Sequence, residues 1–171
     1  IGQTDCLEVR DNITHWKYDK LDLSPILYKE PGGAYAGLYK MEEQDHGIAG
    51  VLDWQLLEAA RPAIDKQERV AASFAVKNTD RTLGTLLSNE ITKKYKSAGL
   101  PDDTIHFTLT GTAGQSFGAF CTRGLTLELE GDANDYFGKG LSGARLIIYP
   151  PRQASFVPEE NIIIGNVAFY G

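Results

Sequence analysis

Residues 111–143 read GTAGQSFGAFCTRGLTLELEGDANDYFGKGLSG and hold eight of the chain's 18 glycines. Two strand-like runs feed this stretch. In Ile105-His106-Phe107-Thr108-Leu109-Thr110 apolar and polar residues alternate, and they alternate again in Leu125-Thr126-Leu127-Glu128-Leu129-Glu130, the period-2 mark of a half-buried strand. The runs are copies of one unit. Shifted by 20 positions, Ile105, Phe107 and Leu109 fall on Leu125, Leu127 and Leu129, while Gly111, Ala113, Phe117 and Gly118 fall on Gly131, Ala133, Phe137 and Gly138. A fixed period of strands with recurring glycines predicts a mainly β solenoid, each unit one coil stacked on the last. Stacked parallel strands lie about 4.8 Å apart, so corner backbones come close together, which favours glycine.

A third unit follows, with Ala144, Leu146 and Ile148 lying 19 positions after Leu125, Leu127 and Leu129, and Pro150-Pro151 stopping the strand. A fourth is expected from Asn161 through Gly165 to Tyr170-Gly171. The chain ends where another corner is expected and begins without an initiator Met, so it reads as a piece of a longer protein.

Composition narrows the function. The net charge is −6 and the pI about 5.1, which argues against a nucleic-acid surface. No apolar run approaches the roughly 20 residues that span a bilayer. Cys6 and Cys121 lie far apart with no CxxC, which suits a reducing cytoplasm and excludes an iron–sulfur cluster held by this segment alone.

Upstream of the coils, residues 1–30 predict a helical arm with the imperfect stripe Leu7, Val9, Ile13 and Trp16, and residues 29–50 predict a glycine-rich linker. Residues 51–66 predict a helix with Leu52, Leu56, Leu57, Ala60 and Ile64 on one face, kinked or shortened by Pro62. Arg69 to Val76 predicts a strand. A second helix is expected from a cap at Thr79 or Asp80 through about Ser97, stopped by Gly99 and Pro101.

The motifs that carry chemistry in other proteins have the wrong surroundings here. Gly138-Lys139-Gly140-Leu141-Ser142-Gly143 matches G-x-G-x-x-G, but a β-like run follows it where a dinucleotide site needs a helix, so it reads as a structural corner. Asp132, Asn134 and Asp135 share one turn. A cation site or a carboxylate pair is conceivable there, but Asn and Asp also close turns on their own backbone. His15, His46 and His106 make no ligand spacing with Cys6 and Cys121. Ser116, Ser142 and Cys121 sit in no G-x-S-x-G elbow. No aromatics interleave with Arg81, Lys93, Lys94, Arg123 and Arg145. The residues themselves assign no catalytic, cofactor-binding or metal-binding group. They assign structural corners at Gly111, Gly114, Gly118, Gly131, Gly138, Gly140, Gly143 and Gly165.

The segments Asn78–Gly84, Gly111–Phe120, Leu127–Tyr136, Gly138–Gly143 and Pro158–Asn161 with Gly165-Asn166 together resemble the C-terminal glycine-rich (GXGXG) domain of the glutamate synthase large (alpha) subunit. Gly2–Asp5 and His15–Lys17 resemble the segment that joins that family's FMN-binding domain to it. The resemblance implies a right-handed parallel β-helix, with residues 1–50 as arm and linker and 51–171 as the glycine-rich domain, two helices at its start. It also implies a parent enzyme that makes two L-glutamate from L-glutamine and 2-oxoglutarate. That parent uses FMN and an iron–sulfur cluster in other domains, with NADPH, NADH or ferredoxin as electron source. The partners implied are the amidotransferase and FMN-binding domains of the same polypeptide, and a small beta subunit or ferredoxin. The location implied is the cytoplasm, or the plastid stroma in a photosynthetic eukaryote. The segment itself is then a non-catalytic scaffold that binds no cofactor. Two alternatives stay open on the sequence: an assembly module of another redox enzyme such as formylmethanofuran dehydrogenase, and a stand-alone β-helix enzyme on polysaccharides using Asp132 and Asp135.

Overall fold

The computed structural model describes residues 6–7, 10, 12–28 and 40–171. The chain divides into two compact units, Ile1–His46 and Gly47–Gly171. In the first unit the expected arm is reduced, among the described residues, to a 3-10 turn at Tyr18–Lys20 and a single-turn helix α1 at Ser24–Leu27. Val9 of the expected stripe lies outside the described residues. Four residues are too short to hold a helix by propensity alone.

The second unit is built on strands β1 (Val70–Val76), β2 (Ile105–Ala113), β3 (Leu125–Ala133) and β4 (Arg145–Tyr149). All pair in parallel, in chain order, as one four-stranded sheet. The registers follow the repeat: Ile105 pairs with Leu125, Gly111 with Gly131, and Leu127 with Leu146. Helices α2 (Asp53–Ala59), α3 (Arg61–Lys66) and α4 (Thr85–Tyr95) complete the unit. The expected single helix over 51–66 breaks at Ala60, where α2 ends, and Pro62 falls in the first turn of α3, where its missing N–H costs nothing.

The expected right-handed parallel β-helix is not what forms. A solenoid would enclose its core between several sheets of its own. Here there is one parallel sheet, the β1–β2 connection carries α4, and the apolar faces of the helices complete the core, as in an α/β domain. Leu56, Leu87 and Ile91 from the helices are as fully buried as Phe107, Leu109, Leu127 and Leu129 from the strands, and all belong to one cluster. The fourth expected strand is also absent. Of residues 161–165 only Ile164 makes a bridge, to Ala133, and Ile162 is 89% exposed.

α4 begins later than its predicted cap. Asp80 closes its own turn, its carboxylate accepting the Lys77 amide at 2.8 Å. The cap arrives instead from α2. Asp53 lies buried at the start of α4 and accepts the amides of Gly84 at 2.7 Å and Leu86 at 2.8 Å. Burial pushes the Asp53 carboxyl above its ordinary range, and the amides of Gly84, Leu86 and Leu87 offset part of that rise.

Beyond the strands, the chain turns in matching segments that bond to each other. Left-handed φ angles recur at every second residue: Ser116, Gly118 and Phe120, then Tyr136, Gly138 and Gly140, then Val167, Phe169 and Gly171. The amides of Ser116 and Phe120 donate to the carbonyls of Asp135 and Lys139 at 2.8 Å, and those of Tyr136 and Gly140 to Asn166 and Tyr170 at 2.9 and 2.7 Å. Each left-handed non-glycine residue costs about 1–2 kcal/mol. The ladder bonds offset that cost, and so do the rings of Phe117 and Phe137, stacked at 5.5 Å between tiers. Among the described residues no helix is long and apolar enough to cross a membrane.

Candidate functional site

The polar face of the sheet carries one connected group of titratable side chains. β2 places His106 outward, because Ile105 and Phe107 on either side of it point into the core. His106 Nδ1 lies 3.0 Å from Asp103 Oδ1, and Nε2 lies 2.9 Å from Glu128 Oε2 on β3. The Tyr149 hydroxyl on β4 donates to Glu128 Oε1 at 2.8 Å. The chain Asp103–His106–Glu128–Tyr149 thus ties the loop before β2 to three strands. The Thr126 hydroxyl, and then His106, hold the Asp103 carboxyl below the usual range. The Tyr149 hydroxyl and His106 do the same for Glu128, and Glu128 in turn raises the Tyr149 phenol.

A histidine between carboxylates is the arrangement of an oriented general base. Yet both imidazole nitrogens and both Glu128 oxygens already have partners within the chain. These bonds tie the loop before β2 and the strands β2, β3 and β4 to one another.

The other candidates of the sequence disperse. Asp135 Oδ1 accepts the Asn166 amide at 2.8 Å, and Asn134 Oδ1 accepts the Asp135 amide at 2.8 Å. Asp135 Oδ1 thus joins its own turn to the one at Asn166. Cys121 is fully buried beneath α4, and burial pushes its thiol up to about 12. Among the described residues no group of His, Cys, Asp and Glu side chains suits a metal ion.

The G-x-G-x-x-G loop has little to offer a phosphate. The amides of Gly138, Lys139, Gly140, Leu141 and Ser142 donate to the carbonyls of Phe117, Tyr136, Tyr170, Gly138 and Cys121 at 2.7–3.1 Å. A phosphate cradle needs such amides free. In this loop they are already bonded to the chain's own carbonyls.

The glycines of the repeat sit where chain segments meet. A Cβ on Gly131 would collide with the Gly111 carbonyl oxygen, and one on Gly111 with the Val76 carbonyl, so neither of these two positions admits a side chain. Gly114 lies against Asn78 and Asp80, Gly118 and Gly138 against Leu146, Gly140 against Phe120, Gly143 against Arg123, and Gly165 against Asn134 and Asp135.

Residues 53–171 match the family model described as the GXGXG motif. Over its whole length the chain is 49% identical to a glutamate synthase [NADH] of Schizosaccharomyces pombe and 44% identical to a glutamate synthase [NADPH] large chain of Bacillus subtilis. It is 42% identical to a ferredoxin-dependent glutamate synthase 2 of Synechocystis. It spans only 8%, 11% and 11% of the length of those three proteins. With the stacked glycine turns and the sheet they terminate now located on matched residues, the chain belongs to the GXGXG motif family, in the form found within glutamate synthases.

Proposed function

We propose that this chain serves as a non-catalytic structural domain of a glutamate synthase, an enzyme that converts L-glutamine, 2-oxoglutarate and reductant to two L-glutamate. Residues 51–171 form the glycine-rich domain and residues 1–50 the arm and linker toward an FMN-binding domain. The amidotransferase and FMN-binding domains of the same polypeptide pack around it, and FMN and an iron–sulfur cluster belong to those other domains. The observation that carries this reading is the likeness to glutamate synthases along 100% of the chain. The internal spending of His106, Glu128, Asp135 and the Gly138–Ser142 amides supports the non-catalytic part.

The test uses the whole synthase that contains the chain. His106→Gln is expected to leave kcat within about twofold, since a lost general acid or base costs about 10²- to 10⁴-fold. A hundredfold fall in kcat with an unchanged melting temperature would show that the Asp103–His106–Glu128 group acts on substrate, and the scaffold reading would be abandoned. Gly131→Ala in the same enzyme should lower the temperature at which glutamate synthesis fails, with kcat at 25 °C retained.

A further inference from the structure

The carboxyl ends of β2 and β3 open onto a groove of about 300 Å³. Its floor includes Gly111 and Gly131, which contribute backbone only. Its lining includes two exposed apolar side chains, Phe156 at 40% and Ile162 at 89%, together with the carboxylates of Glu130 and Asp132. A second hollow of about 280 Å³ shares Thr112, Asp132, Ile162 and Ile163 with the first, so the groove continues past Asp132 toward Asn78.

This mixed lining asks for one kind of occupant. Glu130 spends Oε1 on the Arg152 amide at 3.0 Å. Neither Glu130 nor Asp132 has a salt-bridge partner among the described residues. A bare cation would find two carboxylates but no oxygen on the side chains of Phe156 and Ile162. A purely apolar segment would cover Ile162 and leave two carboxylates against hydrocarbon. A long basic side chain suits both kinds of lining, with methylenes on the apolar side chains and a charged head at the carboxylates. The chain's net charge of −6 favours the approach of such a partner.

We propose that this groove docks an extended basic segment of a partner polypeptide, through an arginine or lysine whose stem lies on Phe156 and Ile162 and whose cation meets Glu130 and Asp132. This docking does not depend on which protein supplies the segment.

The probe is acetyl-Leu-Arg-Leu-amide, titrated into the ¹⁵N-labelled 171-residue chain and followed by amide shifts. Matched peptides carry citrulline or glutamate in place of arginine. Shifts are expected at residues 110–112, 130–132 and 161–163. Replacing arginine by citrulline, or Glu130→Gln with Asp132→Asn, should weaken binding about three- to tenfold, which is what one or two half-exposed ion pairs supply. Ile162→Ser should weaken the arginine and citrulline peptides alike. All three substitutions sit at partly or fully exposed side chains, and an unchanged amide spectrum elsewhere confirms the fold. Equal binding of the arginine and citrulline peptides, shifts on another face, or no saturable shift up to about 10 mM peptide each overturns the proposal.

Discussion

The glycine column Val76–Gly111–Gly131 makes the sharpest energetic prediction. Gly131 has φ +150, and a Cβ there would meet the Gly111 carbonyl, with the Gly111 carbonyl carbon only 2.9 Å away. The obstacle is backbone of the neighbouring strand, held by the ladder on both sides, so it cannot step aside as a side chain would. Holding alanine at that φ costs about 1–3 kcal/mol. Forcing a methyl into closed packing costs about 1–3 kcal/mol more. The less flexible unfolded chain returns about 0.4–1 kcal/mol. Gly131→Ala should therefore lose about 3 kcal/mol, against a total of roughly 5–15 for a domain. That corresponds to a fall in Tm of about 6–12 °C for a chain of this size. Two other glycines calibrate the result. Gly143 has φ +96 but its nearest neighbour is the Arg123 Cβ at 3.3 Å, so alanine there should cost about 1–2 kcal/mol from backbone strain. Gly50 has open space and no left-handed angle, so alanine should be neutral or stabilise by up to about 1 kcal/mol. Urea and thermal unfolding followed by circular dichroism rank the three. If Gly131→Ala costs no more than Gly143→Ala, close strand approach is not what the glycine column serves.

Removing the cap that α2 supplies should be costly: Asp53→Ala leaves the amides of Gly84 and Leu86 unpaired in a buried site and should lose about 2–4 kcal/mol by urea unfolding, whereas Asp53→Asn keeps one acceptor and should lose less. The acid limb of stability has contributions of both signs. Asp103 and Glu128 have depressed carboxyls, so the stability they contribute is present above the ordinary carboxylate range and lost as pH falls through their lower folded values. Asp53 is raised, so the folded state holds its proton more tightly and its ionisation lowers stability as pH climbs from the ordinary value through the raised one. Unfolding measured from about pH 6 to pH 3 should fall more steeply with acid in Asp53→Asn than in the parent, and less steeply in Glu128→Gln. Parallel curves for all three proteins would refute these assignments.

The strand repeat was legible because its cause is local. Apolar residues at every second position and glycines at a spacing of 20 specify which strands pair and in what register, and Ile105–Leu125 and Gly111–Gly131 pair accordingly. What closes the core is not local. The helices before β2 read as a preface to a solenoid, yet Leu56, Leu57, Leu87 and Ile91 form the layer that buries Phe107 and Leu127. Once that face is covered by helices, a single sheet suffices and no further sheets of a β-helix are needed. The run Ile162-Ile163-Ile164 has the composition of a strand, but β4 stops at Tyr149, and the run makes only one isolated bridge, Ile164 opposite Ala133 on β3. The α4 cap was misplaced because its acceptor comes from 31 residues upstream of Gly84, a distance no capping pattern spans.

The clamp at His106 was within reach of the same repeat. The register puts His106 directly across from Thr126 and Glu128 directly across from Ile147. Those direct neighbours carry no charge, so a search of opposed pairs finds nothing. The bonds run diagonally instead, two residues further along each strand: from His106 to Glu128, and from Glu128 to Tyr149. Diagonal neighbours in a sheet lie about 7–8 Å apart, a gap that imidazole, glutamate and phenol side chains bridge and threonine does not. Long polar residues offset by two from the register therefore mark cross-strand clamps in a repeating parallel sheet. The same step leads from Thr108, which pairs with Glu128, to Glu130, whose Oε1 bonds the Arg152 amide just past β4. One diagonal thus ends in a closed clamp, and the next ends at the groove, where Asp132 has no salt-bridge partner among the described residues.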